Sequence, residues 1–507
     1  MSRIIAALAL VAATVTTLVA CGGRTTAGAT QPATTQAAKT GASTTQVPNR
    51  DWLEFDYDAQ RSGVGPGHTG ITAANLGSLR TRVVHVDGTV DSSAVEVAGV
   101  VVHGRARDVI VVTTSYGKTI AIDPGTGQRL WEFTPADIGS YVGSSQVTTA
   151  SPIVDPDRRY VYAASPDGFI HKLALASGHQ LWSTRVTFDP TREKIASALN
   201  ISGGQVVVTT GGYYGDAPTY QGHVVMIDRG SGRIVHVWNA LCSNRHRLID
   251  PPRSCPASDA AIWARAGAVI EPGSGRILVA TGNAPFNGST DWGESVLELT
   301  PDASRLLHNW TPTDQAQLNA SDADLGSSAP ALLPALGGYR LAVQGGKDGQ
   351  LHLLNLGRLD GTQGGAGPRL GGEVEDISSP GGDQVYTAPA VWSHGGRPYV
   401  FVADDSGTAA YTERIAGGRP RLVAVWQNRK GGTSPVLAGG LLYVYDERGG
   451  SLDVYTPASG RLLRSLSAAQ GHWNSPIAVG GRIVLPVGNY MDHATSGDLF
   501  VYHLPGR

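Results

Sequence analysis

Short apolar runs separated by turn residues dominate the chain after its first fifty residues. Segments such as "VIVVT" (Val109–Thr113) and "ILVA" (Ile277–Ala280) are rich in β-branched residues and end in Gly- or Asn-containing turns. Branched apolar runs of this length are typical of buried strands, and Gly supplies the tight turns between them. The 66 glycines recur at regular places rather than in one tract. The pattern predicts an all-β protein with many short strands.

One unit recurs roughly every fifty residues along the chain. It opens with Ser/Ala-Pro and a strand, continues through two further strands, and closes with D-x-x-(S/T)-G and a last strand. The closing piece is clearest in "AIDPGTGQRLW" (Ala121–Trp131). Degraded copies end at Trp182 and Trp238, and another surrounds Gly460. The spacing predicts that each unit is a four-stranded antiparallel meander.

Eight units can be counted, which predicts an eight-bladed β-propeller over residues 49–507. They begin near Ser92, Ala150, Ala198, Trp263, Ser328, Ala388, Ser434 and Ser475. Repeated meanders stack radially, because neighbouring blades then shield one another's edges. "LRTRVVHV" (Leu79–Val86) precedes the first unit and is predicted to complete the last blade. A pair of β-sandwiches is the alternative, but it does not require a Trp at a fixed offset after Ser/Thr-Gly.

The N-terminus has the features of an export signal. A positive start and an apolar run lead to "LVAC", which resembles a bacterial lipobox with Cys21 as the lipidated first mature residue. Residues 21–48 are rich in Thr, Ala and Gln, and cannot bury enough apolar surface to offset the entropy of ordering. We therefore expect a lipoprotein signal peptide (1–20), a flexible tether (21–48) and a propeller anchored outside the cytoplasm of a bacterium. An uncleaved anchor or an ordinary secretory signal are the alternatives.

Charge and cysteine content narrow the functional classes. The net charge is −2, with 40 basic and 42 acidic residues intermixed, so no basic stripe exists to bind nucleic acid. Cys242 and Cys255 remain once Cys21 is assigned, and an oxidising compartment favours a disulfide between them. Their spacing does not match a metal site, and no Cys-x-x-Cys-His is present to attach a c-type haem.

The closing motif carries a family resemblance. Ala121-x-Asp123-x-x-Thr126-Gly127-x-x-x-Trp131 resembles the tryptophan-docking motif of quinoprotein dehydrogenases, in which each Trp packs between neighbouring blades. "DWLEFDYDAQRSGV" (Asp51–Val64) is similar to the lead-in of these propellers. The resemblance implies pyrroloquinoline quinone (PQQ) at the propeller axis, a Ca²⁺ ion beside it and an Asp as general base. The same repeat also builds propellers without catalytic activity.

The resemblance can be carried over to four residues in turn. "VATGNAPFN" places Asn283 at the metal, where an amide oxygen suits a hard cation. "NASDADLGSSAP" aligns Asp322 with the catalytic base beside the metal, with Asp324 as the near alternative. "LAVQGGKDGQ" places Lys347 at the quinone oxygens. The ordinary explanations are a turn Asn, a solvated acidic loop and a surface Lys in a turn.

The chain also departs from the family pattern. Asp216 lies one residue away from the position of the family's Glu metal ligand, and Trp263 is only an approximate counterpart of the Trp that stacks beneath the quinone. The adjacent Cys-Cys disulfide of many such enzymes is absent.

Two functions remain open at this point. The first is a lipid-anchored binding or scaffold propeller, a monomer that keeps a quinone-like axial pocket and contacts an envelope protein or glycan. The alternative is a PQQ- and Ca²⁺-dependent alcohol or sugar dehydrogenase, with a separate electron acceptor. The departures favour the first, whereas the ordered Asn283, Asp322 and Lys347 favour a retained pocket.

Overall fold

The computed structural model describes residues 50–213, 219–359 and 369–506. Regular structure in these ranges is almost entirely β-strand, with one short α-helix, α1 (Gln315–Ala320), and a few 3₁₀ turns. The proposed lipidation site Cys21, the predicted signal peptide and tether, and Asp216 lie outside the described residues. No helix in the described ranges is long and apolar enough to cross a membrane.

Eight four-stranded antiparallel sheets follow one another along the chain. An N-terminal strand precedes them, β1 (Arg80–Val86). The first two blades contain β2 (Val95–Val102), β3 (Arg105–Thr113), β4 (Thr119–Ile122), β5 (Arg129–Phe133), β6 (Ile153–Val154), β7 (Tyr160–Ser165), β8 (Phe169–Ala174) and β9 (Gln180–Arg185). A separate two-stranded sheet consists of β10 (Glu193–Lys194) and β13 (Gly211–Gly212). The third blade contains β11 (Asn200–Ser202), β12 (Gln205–Thr209), β14 (His223–Asp228) and β15 (Ile234–Asn239). The fourth blade contains β16 (Val269–Ile270), β17 (Ile277–Ala280), β18 (Val296–Leu299) and β19 (Leu306–Trp310).

The second half of the ring repeats the same arrangement. Blades five and six contain β20 (Ala331–Leu332), β21 (Leu341–Gly345), β22 (Gln350–Asn355), β23 (Glu375–Ser378), β24 (Ala390–His394), β25 (Arg397–Ala403), β26 (Thr408–Ala416) and β27 (Arg419–Asn428). Blades seven and eight contain β28 (Val436–Ala438), β29 (Leu441–Asp446), β30 (Ser451–Tyr455), β31 (Leu462–Ser467), β32 (Ile477–Val479), β33 (Arg482–Val487) and β34 (Gly497–His503). The predicted eight-bladed propeller is confirmed.

The ring closes in the last blade, where the two ends of the fold meet. The strand order there is β1-β34-β33-β32, and β1 runs antiparallel to β34 with Arg80 opposite His503 and Val86 opposite Gly497. The strand predicted at Leu79–Val86 therefore does complete the eighth blade. The fold begins where the lead-in motif predicts, because the buried Trp52 pairs with Glu96 through two backbone hydrogen bonds of 2.7 and 2.8 Å.

Tryptophan docking joins successive blades. Trp131 of β5 donates its indole N–H to the carbonyl oxygen of Leu175 at 2.8 Å, across the first blade junction. Gly178 lies under the ring with φ +71°, and a Cβ atom there would sit 2.5 Å from the indole. The same pairing recurs at two further junctions, Trp182 with Gly232 and Trp426 with Gly460. The Gly of the closing motif thus provides both the turn conformation and the space for a neighbouring Trp.

The core lies between the blades, and the inner and middle strands are buried on both faces. All five residues of β21 and all six of β33 are buried, whereas β9 on an outer edge has no buried residue. Strands buried on both faces read as continuous apolar runs rather than as alternating ones. This explains the short apolar runs of the sequence.

A two-stranded sheet of β10 and β13 lies outside the eight blades. In it, Gly211–Gly212 pairs with Glu193–Lys194. A Cβ at Gly212 would lie 2.4 Å from the Tyr220 ring, and one at Gly211 would lie 3.0 Å from Ala261. These glycines are required by close packing, and they bring Lys194 to the propeller axis.

Cys242 and Cys255 form a disulfide in the long connection between β15 and β16, as predicted. Their Cα atoms are 6.1 Å apart and 13 residues separate them in sequence. The loop packs against the core, since Cys255 is fully buried.

Replacement of Cys242 by Ser is expected to lower the free energy of unfolding by about 3 kcal/mol, because a cross-link over a loop of this length removes entropy mainly from the unfolded chain. Urea denaturation of the oxidised protein measures the change. Cys255→Ser and the reduced wild-type protein are the controls and should match the variant. Equal midpoints for the oxidised wild type and Cys242→Ser would contradict the prediction.

Candidate functional site

One end of the ring carries a cavity of about 510 Å³. In each blade the first strand begins at the end of the ring that carries the cavity, and the second strand ends there, because the two strands are antiparallel. The connections there contribute side chains from many blades to the axis. Six of the lining residues carry charge or the predicted stacking ring: Lys194, Trp263, Arg265, Asp322, Asp324 and Lys347.

Four of the residues predicted from the sequence form one hydrogen-bonded network. The side-chain amide of Asn283 donates to Asp322 Oδ1 at 2.8 Å, and its backbone N–H donates to Asp324 Oδ1 at 2.8 Å. Lys347 Nζ lies 2.9 Å from Asp322 Oδ1 and 2.6 Å from Asp324 Oδ2. Asp324 is buried, whereas the Asp322 side chain is 64% exposed. The predicted Trp263 lines the same cavity, with its ring 5.5 Å from Lys347 Nζ.

Gly282 explains why the strand end reads Thr-Gly-Asn. A Cβ atom on Gly282 would lie 2.2 Å from Asp324 Oδ1. Only Gly therefore lets the Asp324 carboxylate approach the backbone of Asn283. Asn283 ends β17 and belongs to the charged network as well.

Lys347 occupies the position between the two carboxylates. Burial lowers its pKa, but Asp324 and Asp322 outweigh burial, so that the pKa is raised and the side chain stays an ammonium. A Ca²⁺ ion needs six to eight oxygen ligands. In the described ranges, no group of three or more His, Cys, Asp and Glu side chains could hold a metal. Among the described residues, an ammonium group therefore bridges the two carboxylates, and Asp216, the remaining predicted metal ligand, lies outside the described ranges.

The aromatic side chains also differ from a quinone sandwich. Trp263, Tyr386 and Trp473 form a cluster whose ring centroids are 4.6, 5.8 and 6.3 Å apart. A flat ligand between two parallel rings requires about 7 Å, twice the carbon–carbon contact distance. The cluster therefore has no slot between its rings. All three rings are only half-buried, so each keeps a face toward the cavity.

A second charged cluster beside the first was not predicted. Arg265 Nη2 lies 2.5 Å from Asp91 Oδ1, and His472 Nδ1 lies 2.9 Å from Asp91 Oδ2. Burial raises the pKa of Asp91, but the charge of Arg265 and the contacts with His472 outweigh it and hold the pKa well below its ordinary value. Asp91 directly precedes the opening at Ser92, Arg265 lies two residues after the opening near Trp263, and His472 lies three residues before the opening at Ser475. Their closeness to blade openings was the only feature of the sequence that could have indicated this cluster.

Lys194 is the third cation of the cavity and differs from the other two. It is buried, its Nζ lies 3.9 Å from the centroid of the Tyr490 ring, and among the described residues nothing accepts a hydrogen bond or ion pair from it. Burial, and then the charge of Arg265, lower its pKa to about 7, although Asp91 acts in the opposite direction.

Glu294 lies beneath the predicted site and was also missed. It is fully buried, and its Oε2 accepts the backbone N–H of Leu325 at 2.7 Å. Burial, and then the carboxylate of Asp324, raise its pKa to about 9. Its Oε1 is buried and has no hydrogen-bond partner within the described ranges. A protonated carboxyl group suits this position.

Glu294→Gln is expected to change how stability depends on pH. The folded-state pKa is raised to about 9 from 4.5, so the native state binds the extra proton between these values and loses stability as the pH rises through them. Gln does not titrate. The unfolding free energy of the variant relative to wild type should therefore increase by at least about 1 kcal/mol between pH 5 and pH 8.

Urea denaturation at each pH measures this difference. Lys194 titrates in both proteins and cancels in the comparison. Asp137→Asn, at an exposed position, is the control and should give a flat difference. A flat difference for Glu294→Gln would show that Glu294 is ionised in the folded protein.

A larger and more open groove of about 1280 Å³ lies around Trp292 and Leu306–Asn309, at the outer part of the fourth blade. It contains none of the predicted site residues. The predicted charged residues and Trp263 lie instead at the smaller axial cavity.

Comparison with known proteins agrees with this geometry at the level of fold. The structure matches the quinohemoprotein alcohol dehydrogenase of Comamonas testosteroni with a TM-score of 0.65 at 15% identity, covering 91% of this chain and 81% of that one. A europium-containing methanol dehydrogenase gives a TM-score of 0.64 at 14% identity, covering 90% of this chain and 99% of that one. Residues 89–264 match the family model described as outer membrane protein assembly factor BamB. The chain is a propeller of PQQ-like repeats.

The PQQ-like propeller is similar in fold to quinoprotein alcohol dehydrogenases, and part of its sequence is similar to BamB, at low identity. Quinohemoprotein alcohol dehydrogenase ADH IIB of Pseudomonas putida is 23% identical over 239 residues, which are 42% of this chain and 34% of that protein. The propeller thus aligns with about a third of that relative's length. The segment that matches the BamB model includes Lys194 and Trp263 but ends before Asn283, Asp322 and Lys347.

Proposed function

We propose that this propeller is a non-catalytic binding protein of the bacterial cell envelope, whose axial cavity holds a small, flat, quinone-like organic molecule. The observation that carries the proposal is the cavity itself. Its volume of about 510 Å³ falls within the range of small-molecule sites, roughly 300–1,000 Å³. Its wall combines half-buried aromatic rings with charged groups that are mostly paired with one another.

The aromatic rings supply the binding surface. Trp263, Tyr386 and Trp473 each present a partly exposed face, and ring-on-ring contacts add about 0.5–1.5 kcal/mol each beyond the buried area. The paired charges around them, such as Arg265 with Asp91, orient polar atoms of the ligand rather than neutralise a strong charge. This composition suits a conjugated molecule with a few polar substituents.

The charged network supports binding over dehydrogenation. A general base needs a free lone pair directed at the substrate hydroxyl, and a nearby metal ion would polarise that hydroxyl. Asp322 Oδ1 accepts from both Asn283 and Lys347, and the Asp324 carboxylate is engaged by the same two residues. The ammonium group of Lys347 thus engages the carboxylates that the alternative function assigns to the metal and to the general base.

The proposed location outside the cytoplasm is supported by two findings. The disulfide and the match to the BamB family both point to an extracytoplasmic protein. Lipidation of Cys21 would hold the propeller at the membrane, where its rim could contact an envelope protein or glycan. These last two features belong to the proposal.

Calorimetric titration of the full-length protein with PQQ, with and without Ca²⁺, tests the proposal. We expect saturable binding that does not depend on Ca²⁺, is at least about tenfold weaker in Trp263→Ala, and is unchanged in Trp392→Ala, which removes a Trp outside the cavity. We also expect no dye reduction with a panel of alcohols and sugars. Ca²⁺-dependent dye reduction would establish the dehydrogenase alternative, and absence of PQQ binding would overturn the quinone-like pocket.

A further inference from the structure

Lys194 is placed at the cavity by the two-stranded sheet of β10 and β13. It pairs with Gly211, and its side chain lines the cavity although only 6% of the residue is exposed. Successive residues of a strand point to opposite faces. The neighbouring Glu193 accordingly points away and contacts His223 Nε2 at 3.3 Å and the hydroxyl of Thr187. The carboxylate closest in sequence therefore cannot neutralise Lys194.

The other groups around Lys194 leave its amine available. The nearest cation is the Arg265 guanidinium, and the Asp91 carboxylate is engaged by Arg265 and by His472. The cavity wall also contains the phenols of Tyr213, Tyr386 and Tyr490 and the network of Lys347 with Asp322 and Asp324, in which both carboxylates are engaged by Lys347. Burial and the Arg265 charge lower the pKa of Lys194 to about 7, so that much of it is free amine at neutral pH.

The two lysines of the cavity consequently differ in chemistry. Lys347 is held as an ammonium between Asp322 and Asp324, whereas Lys194 has the face of Tyr490 as its close contact. Lys347 is thus held by two carboxylates, whereas Lys194 lies against an aromatic ring face.

We infer that Lys194 captures a carbonyl-bearing aromatic ligand, an aldehyde or a quinone, as a reversible imine inside the axial cavity. This inference rests on the proposed function, because the ligand must first enter the cavity. The Nζ lone pair forms a bond to the carbonyl carbon, and a proton moves from nitrogen to oxygen to give a carbinolamine. The C–O bond then breaks, water leaves and a C=N bond remains. The sum is amine plus carbonyl to imine plus water, with no change of oxidation state.

Trapping with 4-formylbenzoate tests the inference on the full-length protein. The imine is reduced with cyanoborohydride at pH 7.5 and located by peptide mapping. At this pH an ordinary lysine is about 0.1% free amine, so Lys194 should react at least about tenfold faster than any other lysine. The rate should rise with a midpoint near pH 7 rather than above pH 10. Lys194→Arg should lose the adduct.

Lys172→Arg is the matched control, because Lys172 is also a buried lysine with a lowered pKa but donates to the carbonyl of Arg229 outside the cavity. This variant should keep the adduct at Lys194. If Lys194→Arg does not fold, the mapped site and the pH profile of the wild-type protein still decide the matter. Modification spread over several lysines, or a midpoint above pH 10 at Lys194, would overturn the inference.

Terephthalate separates failure of this inference from failure of the proposed function. It has the shape of 4-formylbenzoate but no reactive carbonyl, and its binding is measured by calorimetry. Binding of terephthalate without a Lys194 adduct from the aldehyde would overturn the imine while leaving the binding function in place. If neither probe is bound and no adduct forms, both proposals fall.

Discussion

An Arg482→Met variant is expected to lose about 3–5 kcal/mol of unfolding free energy, because it leaves a buried carboxylate without its partner. Arg482 lies on β33 of the eighth blade and reaches across to the first. Its guanidinium contacts Glu96 on β2 and lies 2.7 Å from Asp108 Oδ2 on β3. Glu96 is fully buried, and burial is the largest influence on its pKa, raising it against the opposing charge of Arg482.

Urea denaturation measures this loss, and two further variants define its origin. Arg421→Met removes a pair with Glu375 that also joins two blades but is more exposed, and it should cost less than about 1 kcal/mol. The double variant Arg482→Met/Glu96→Gln should recover part of the loss, since no buried charge is then left unpaired. An Arg482→Met protein as stable as Arg421→Met would show that the buried pair does not hold the ring closed.

Trp131→Ala is expected to cost about 3–5 kcal/mol as well, through the cavity it leaves between the first two blades. The ring is 7% exposed, covers Gly178 and donates to the carbonyl of Leu175. Trp131→Phe keeps most of the packing and loses the hydrogen bond, so it should cost less than the Ala variant.

The control for this prediction is Leu181→Ala on the neighbouring outer strand. Leu181 is 45% exposed, and its truncation should change the unfolding free energy by less than about 1 kcal/mol. Equal losses in Trp131→Ala and Leu181→Ala would contradict the docking role. Both changes are read from denaturation midpoints under the same conditions.

The fold could be predicted because each blade is a local unit whose start and end are marked by sequence motifs. Trp131 and the turn Gly of the next unit recur at a fixed spacing, and Leu79–Val86 was left over as the strand needed to close the ring. Both features depend on short stretches of chain. They can therefore be recognised in the sequence without knowledge of distant contacts.

The site could be predicted only in part, because it depends on contacts between residues that are distant in sequence. The resemblance to quinoprotein dehydrogenases assigned Asn283, Asp322 and Lys347 to one site, and in the structure their side chains contact one another. The position of the Lys347 ammonium between two carboxylates depends on side-chain geometry that spacing does not encode. Arg265 and Asp91 are 174 residues apart and meet only after the ring has closed.

Ring closure also sets an order of events during biosynthesis. Strand β1 is made more than 400 residues before its partner β34, so the emerging chain keeps an unpaired strand edge until β34 has been made. Unpaired edges invite association with other chains, and charged residues on them discourage it. Arg80 is exposed and Arg82 is half-buried on β1, so two positive charges lie on this edge and would discourage such association before β34 pairs with it.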